Sequence, residues 1–149
     1  MSIYRYSFAQ LGRQDLAQEA TQEVFMGVWR NLPSFRNEHE GSFGGWLFGI
    51  ARNVIGAMRR RNAKEDVAVI DDQVFDGEVE FEGDLVTKKV LHDAINGLPE
   101  VQREVVVLRF LVGLSLREVG ESMGTSEGAV TSAQLRGLRR LRRTLEAAT

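Results

Sequence analysis

The chain has 149 residues, 43% of them hydrophobic and 27% charged, with a net charge of −2 and no cysteine. That length suits one ordinary domain or two small ones, and the lack of cysteine excludes a disulfide framework and thiolate metal sites. No apolar run approaches the roughly 18 residues that span a bilayer, and the residues after Met1 lack the apolar core of a signal peptide, so the expected location is cytoplasmic.

Charge is distributed unevenly. Residues 1–62 carry eight basic against five acidic side chains, and residues 85–149 carry ten against seven. Between them, residues 63–84 hold one lysine against nine acids. Screening confines surface fields to about 8 Å at physiological salt, so a mildly acidic whole can still present basic faces to a polyanion. With His39 and His92 as its only histidines, the chain is also a poor candidate for a metal centre.

The first block reads as helices. Tyr4 to Leu11 forms a short amphipathic segment ending at Gly12. Asp15 is placed to cap the next helix, whose stripe of Leu16, Ala20, Val24 and Val28 steps by four, with Phe25 and Trp29 beside it. Pro33 is expected to end that helix, and a loop from Ser34 follows. A third helix carries Phe43, Trp46, Leu47, Ile50, Ala51, Val54, Ile55 and Met58 at steps of three and four. Phe48 and Arg52 fall off that stripe, with Asn53 next to them. An exposed aromatic beside an arginine suits an unstacked base on a single strand, whereas Phe43 and Trp46 have core spacing. Arg59, Arg60 and Arg61 close the helix. They either complement its dipole or grip phosphate.

The acidic stretch from 63 to 84 follows, and Asp84 is the expected N-cap of the second block. Leu91, Ala94, Ile95 and Leu98 mark one helix. Pro99 opens the next, which carries Val101, Val105, Leu108, Leu111 and Val112 up to Gly113. Ser115 and Glu118 have the spacing of a capping box. Leu116 to Leu135 then fits a helix-turn-helix. Gly120 gives room where the two helices cross, Gly124 supplies a positive-φ turn, and Val119, Met123 and Val130 form the apolar contact. Thr125 or Ser126 caps the second helix. Its start would place Ser126, Glu127, Thr131 and Ser132 at base edges or phosphates. Arg136, Arg139, Arg140, Arg142 and Arg143 follow within reach of backbone phosphate. The alternative is a helical hairpin with a solvated basic face.

The stretches AQEATQEVFMGVW, GGWLFGIARN and LPEVQREVVVLRFLVGLSLREVGESMGTSEGAV resemble bacterial RNA polymerase sigma factors of the extracytoplasmic-function group. The resemblance covers nearly the whole chain, in two blocks in the expected order. It implies an all-α protein: a region 2-like bundle at residues 1–62, an acidic linker at 63–84, and a region 4-like helix-turn-helix domain at 85–149. The implied partners are core RNA polymerase through its β and β′ subunits, promoter DNA and an anti-sigma factor. No cofactor and no catalytic activity are expected.

Residue by residue, the resemblance places Gln18, Glu19, Gln22, Glu23 and Phe25 in the segment that docks on β′. Residues 34–44, with Phe35, Arg36 and Asn37, match the loop that captures a flipped −10 base. Phe43, Trp46, Arg52 and Asn53 match the melting and recognition helix, to which Phe48 and Arg59 to Arg61 are added. Ser126, Glu127, Thr131, Ser132, Arg136, Arg139 and Arg140 form the candidate −35 surface. A 22-residue linker reaches about 75 Å when extended, enough for promoter elements about 70 Å apart along two turns of duplex.

The chain departs from the family pattern in places. Family members usually carry a longer segment before Tyr4. Gly49 stands where the family often has arginine, and Thr131 and Ala133 stand where basic residues are common. Fewer charges on the −35 helix would reduce phosphate affinity. Two other functions fit part of the pattern: a decoy that binds an anti-sigma factor, and a dimeric helix-turn-helix regulator that binds duplex without polymerase.

Overall fold

The computed structural model describes residues 2–38, 41–65 and 85–148, with side chains for 3–35, 41–62 and 88–148. The described residues are helical, with no strand among them: α1 Ser2–Leu11, α2 Gln14–Glu38, α3 Phe43–Glu65, α4 Leu85–Asn96, α5 Glu100–Val106, α6 Leu116–Met123 and α7 Glu127–Ala147. A π-helical stretch, Val107–Val112, continues α5. The expected linker beyond Glu65, Asp84 as a cap, and the side chains of Arg36 and Asn37 lie outside the described residues.

Spacing explains the first block. Ile3, Tyr6, Ala9 and Gln10 bury one face of α1, and Gly12 ends it at φ +70° with its amide on the Phe8 carbonyl. On α2, Ala17, Ala20 and Val24 are buried, with Leu16 and Val28 packed at the margin. Asp15 is not the cap: the helix starts at Gln14, and Asp15 lies in the first turn, paired with Arg13 at 2.7 Å. There its charge favours the positive helix end.

Pro33 does not end α2, which runs on to Glu38. Proline removes one helical hydrogen bond, but continuing the helix carries Phe35 onto Phe43 and Trp46, with ring centroids 5.4 and 4.9 Å apart. The expected loop from Ser34 is helical through residue 38 for that reason.

α3 is buried on two sides. Ala51, Ile55 and Met58 belong to the expected stripe, but Phe48, expected off it, is only 3% exposed. It meets Tyr6 of α1 edge-on at 5.8 Å. One stripe of α3 faces α2, where a Cβ on Gly27 would lie 3.1 Å from Ile50. A second stripe faces α1 and the second block.

In that block, Arg103 to Leu108 are all buried. An unbroken buried run means the helix is covered all round: α1, α4 and α7 pack on it. Gly137 lets α7 approach, because a Cβ there would sit 3.1 Å from Val106. Gly113 ends the π-helical stretch at φ +91°. Ser115 and Glu118 form both halves of the expected capping box, Gly124 turns at φ +67°, and Ser126 caps α7 by accepting from the Ala129 amide. At the crossing, a Cβ on Gly120 would lie 2.8 Å from the Thr125 carbonyl oxygen. Backbone cannot swing aside as a side chain can. Gly120→Ala is therefore expected to cost about 1–3 kcal/mol in urea denaturation. Gly128→Ala, which meets only Ser126 Oγ at 3.9 Å, should be neutral or stabilising.

Candidate nucleic-acid interface

Three exposed surfaces emerge. The first is the outer side of α2, where Gln18, Glu19, Gln22 and Glu23 are all exposed. Beside them Phe25 is 44%, Met26 58% and Trp29 79% exposed. Together with Thr21, Gln22 and Arg30, these three apolar side chains line a shallow open groove. Aromatics and methionine on an exposed polar-rimmed patch are the composition of a protein-binding core. Sequence reasoning included Phe25 but missed Met26 and Trp29, because Trp29 borders the stripe at Val28 and reads as marginal core.

The second surface lies at the start of α3. Phe35, Phe43 and Trp46 form a ring cluster, with Phe43 48% exposed. Asn53, Arg60 and Arg61 are exposed. Arg59 is half-buried, donating from Nη1 to Gln10 Oε1 at 3.3 Å, and burial lowers its pKa. Phe48 is not presented to solvent as expected, and Arg52 is presented only in part. Phe48 belongs to the core, and Arg52 pairs through Nε with Glu104 Oε2, whose side chain is 4% exposed. A buried carboxylate needs such a partner. Burial pushes the Glu104 carboxyl up while Arg52 pulls it down, with the net direction upward. Burial, followed by the charge of Glu104, also raises the Tyr6 hydroxyl well above its usual range. Gln10 Oε1 accepts from Arg103 Nε at 3.0 Å. The sequence hint to this polar layer was Arg103-Glu104 ahead of an otherwise apolar run.

The third surface is α7. Val130, Ala133, Gly137 and Leu141 are its buried stripe. Ser126, Glu127, Thr131, Ser132, Arg136, Arg139 and Arg140 are all exposed. Ser132, Arg136, Arg139, Arg140 and Arg143 recur on one face at helical spacing. Arg136, Arg139, Arg140, Arg142 and Arg143 line an open groove with Gln102 and Glu146. Such a row of guanidinium groups suits phosphate. Ala133 is 6% exposed and packs in the core, so the lack of a basic residue there removes nothing from this face. Thr131 is exposed, and its hydroxyl donates to the Glu127 carbonyl at 2.9 Å.

Among the described residues there is no group of acidic or histidine side chains able to hold a metal ion. No helix among them is long and apolar enough to cross a membrane.

Comparison with known proteins matches residues 2–65 to sigma-70 region 2 and residues 94–143 to sigma-70 region 4. The chain is 33% identical to the ECF RNA polymerase sigma factor BldN of Streptomyces coelicolor over 97% of its own length and 56% of that protein's. It is 32% identical to the ECF RNA polymerase sigma factor SigD of Mycobacterium tuberculosis, covering 98% of this chain and 73% of that one. The chain thus spans little more than half of BldN. The fold is similar to that of the sigma factor RpoE, solved with the anti-sigma factor NepR from Bartonella quintana. The TM-score is 0.71 at 23% identity, over 97% of this chain and 89% of that one.

Proposed function

This chain belongs to the ECF RNA polymerase sigma factors, and we propose that it directs core RNA polymerase to particular promoters and helps to open the DNA there. It acts in the cytoplasm and catalyses no reaction of its own; the polymerase does the chemistry. The observation that carries this reading is the pairing, in one chain, of an exposed aromatic patch on α2 with a capped helix-turn-helix followed by exposed arginines. A dimeric helix-turn-helix regulator could bury such a patch against a second copy, but its first block would not be expected to match sigma-70 region 2, as residues 2–65 do.

The parts divide the work. The outer face of α2 docks on the polymerase through Gln18, Glu19, Gln22, Glu23 and Phe25. The ring cluster of Phe35, Phe43 and Trp46, with Asn53, engages the −10 element as its strands part. Bases leaving the stack find aromatic faces to lie against. Helix α7 reads the −35 element, its N-terminal residues at base edges and its arginines on phosphate. An anti-sigma factor is a further expected partner, as the Bartonella RpoE structure contains one.

Arg136 sits on the exposed face of α7, its Nε donating only to the Ser132 carbonyl at 3.3 Å. Arg136→Ala is expected to lower initiation from −35-dependent promoters by about ten- to hundredfold and leave helicity unchanged. Transcription by the reconstituted holoenzyme measures the first and circular dichroism the second. Undiminished initiation would remove Arg136 from the reading surface.

A further inference from the structure

Arg13, Arg52, Arg117 and Arg142 each have a carboxylate partner. Among the described residues, Arg59, Arg60 and Arg103 have none, yet all three line one crevice of about 210 Å³ walled by α1, α3 and α5. Arg103 is 8% exposed, and a guanidinium group at that depth is costly unless an anion faces it. Its Nε donates to Gln10 Oε1, a neutral acceptor that also takes the bond from Arg59 Nη1. Gln10 is itself 4% exposed, and its Nε2 is buried with no acceptor. Donors and positive charge thus converge on the crevice. Gly56 keeps the space open, since a Cβ there would lie 3.4 Å from Arg60 Nη1.

We propose that this crevice binds a small phosphate-bearing anion, gripped by Arg59, Arg60 and Arg103 beside Gln10. Guanidinium forks match phosphate oxygens in both geometry and charge. The carboxylates nearby leave that charge in excess. Glu104 is paired with Arg52, and Glu100 is exposed at the rim, where salt screens it. Size limits the ligand. Sites for whole drug-sized molecules occupy roughly 300–1,000 Å³, so a crevice of about 210 Å³ takes a diphosphate group and leaves a nucleoside outside. The chemistry recognised is a diphosphate, free or at the end of a nucleotide. This site goes beyond the reading under Proposed function and does not depend on it.

Calorimetric titration of the full chain with inorganic pyrophosphate, at fixed ionic strength, tests the site. Saturable binding is expected, with a raised thermal midpoint when pyrophosphate is present. Arg60 is exposed, so Arg60→Gln should leave folding intact and weaken binding about tenfold. Gly56→Leu fills the crevice and leaves every charge in place; it should abolish binding with circular dichroism unchanged. Glu100→Gln removes the carboxylate at the rim and should tighten binding about threefold.

The arginine groove of α7 is the control: Arg139→Gln with Arg143→Gln should leave the pyrophosphate affinity as it is. ADP binding as tightly as pyrophosphate would identify the end of a nucleotide as the ligand, and pyrophosphate binding alone would identify the free anion; either result supports the site. Absence of saturable binding would overturn it. So would undiminished affinity in both Arg60→Gln and Gly56→Leu, or loss of binding in the α7 double variant alone, which would move the anion to the −35 surface.

Discussion

Trp29→Ala is expected to weaken binding to core RNA polymerase by about 2 kcal/mol or more, roughly thirtyfold, because a central aromatic in a binding patch carries a disproportionate share of the energy. The same change should leave thermal unfolding almost unmoved. Trp29 is 79% exposed, so its ring contributes little to the folded chain. Substitutions at such surface positions usually stay within about 0.5 kcal/mol. Keeping so large an apolar surface in water is understandable only if a partner covers it. Phe25 and Met26 lie beside it and Gln22 borders the groove, giving an apolar centre with a polar margin. Titration of labelled protein with core polymerase measures the affinity, and a thermal melt provides the control. Unchanged affinity would place the docking surface elsewhere on the chain.

Phe48→Ala is expected to have the opposite profile. Its ring is 3% exposed and sits edge-on against Tyr6, so truncation leaves a cavity beside the buried ring of Tyr6. The expected loss is about 3–5 kcal/mol of stability, read from urea denaturation. Were Phe48 instead an exposed platform for a base, stability would hardly change and only promoter opening would suffer. A loss below about 1 kcal/mol would therefore return Phe48 to the DNA-binding surface.

These two aromatics mark where sequence reading reached its limit. Spacing placed Trp29 beside the core stripe and Phe48 off its own; Trp29 proves far more exposed than a flanking position suggests, and the placement of Phe48 is reversed. The cause is the number of neighbours each helix has. α2 buries a narrow stripe of small residues, Ala17, Ala20 and Val24, and leaves the adjoining positions in water. α3 is packed from two directions, so a single-stripe reading captures only half of what it buries. Pro33 was misread for a related reason: the local rule against proline within a helix yielded to the packing of Phe35 on Phe43 and Trp46.

The helix-turn-helix was legible because its determinants are local. Ser115 and Glu118 cap within three residues, Gly124 turns by its own φ, and Ser126 caps α7. The arginines of α7 were legible as a run behind Val130, whereas the burial of Ala133 and Gly137 on the opposite stripe was not. The Arg52–Glu104 pair was not legible, because its members are 52 residues apart. Nothing in either neighbourhood names the other.

The most direct test of the sigma reading is transcription of fragmented genomic DNA from the source organism by purified core RNA polymerase, with and without this protein, followed by mapping of the start sites. The expected result is a set of starts that need the protein and share two upstream sequence elements about two turns of duplex apart. The contradicting result is an unaltered start profile from active core polymerase in the presence of folded protein.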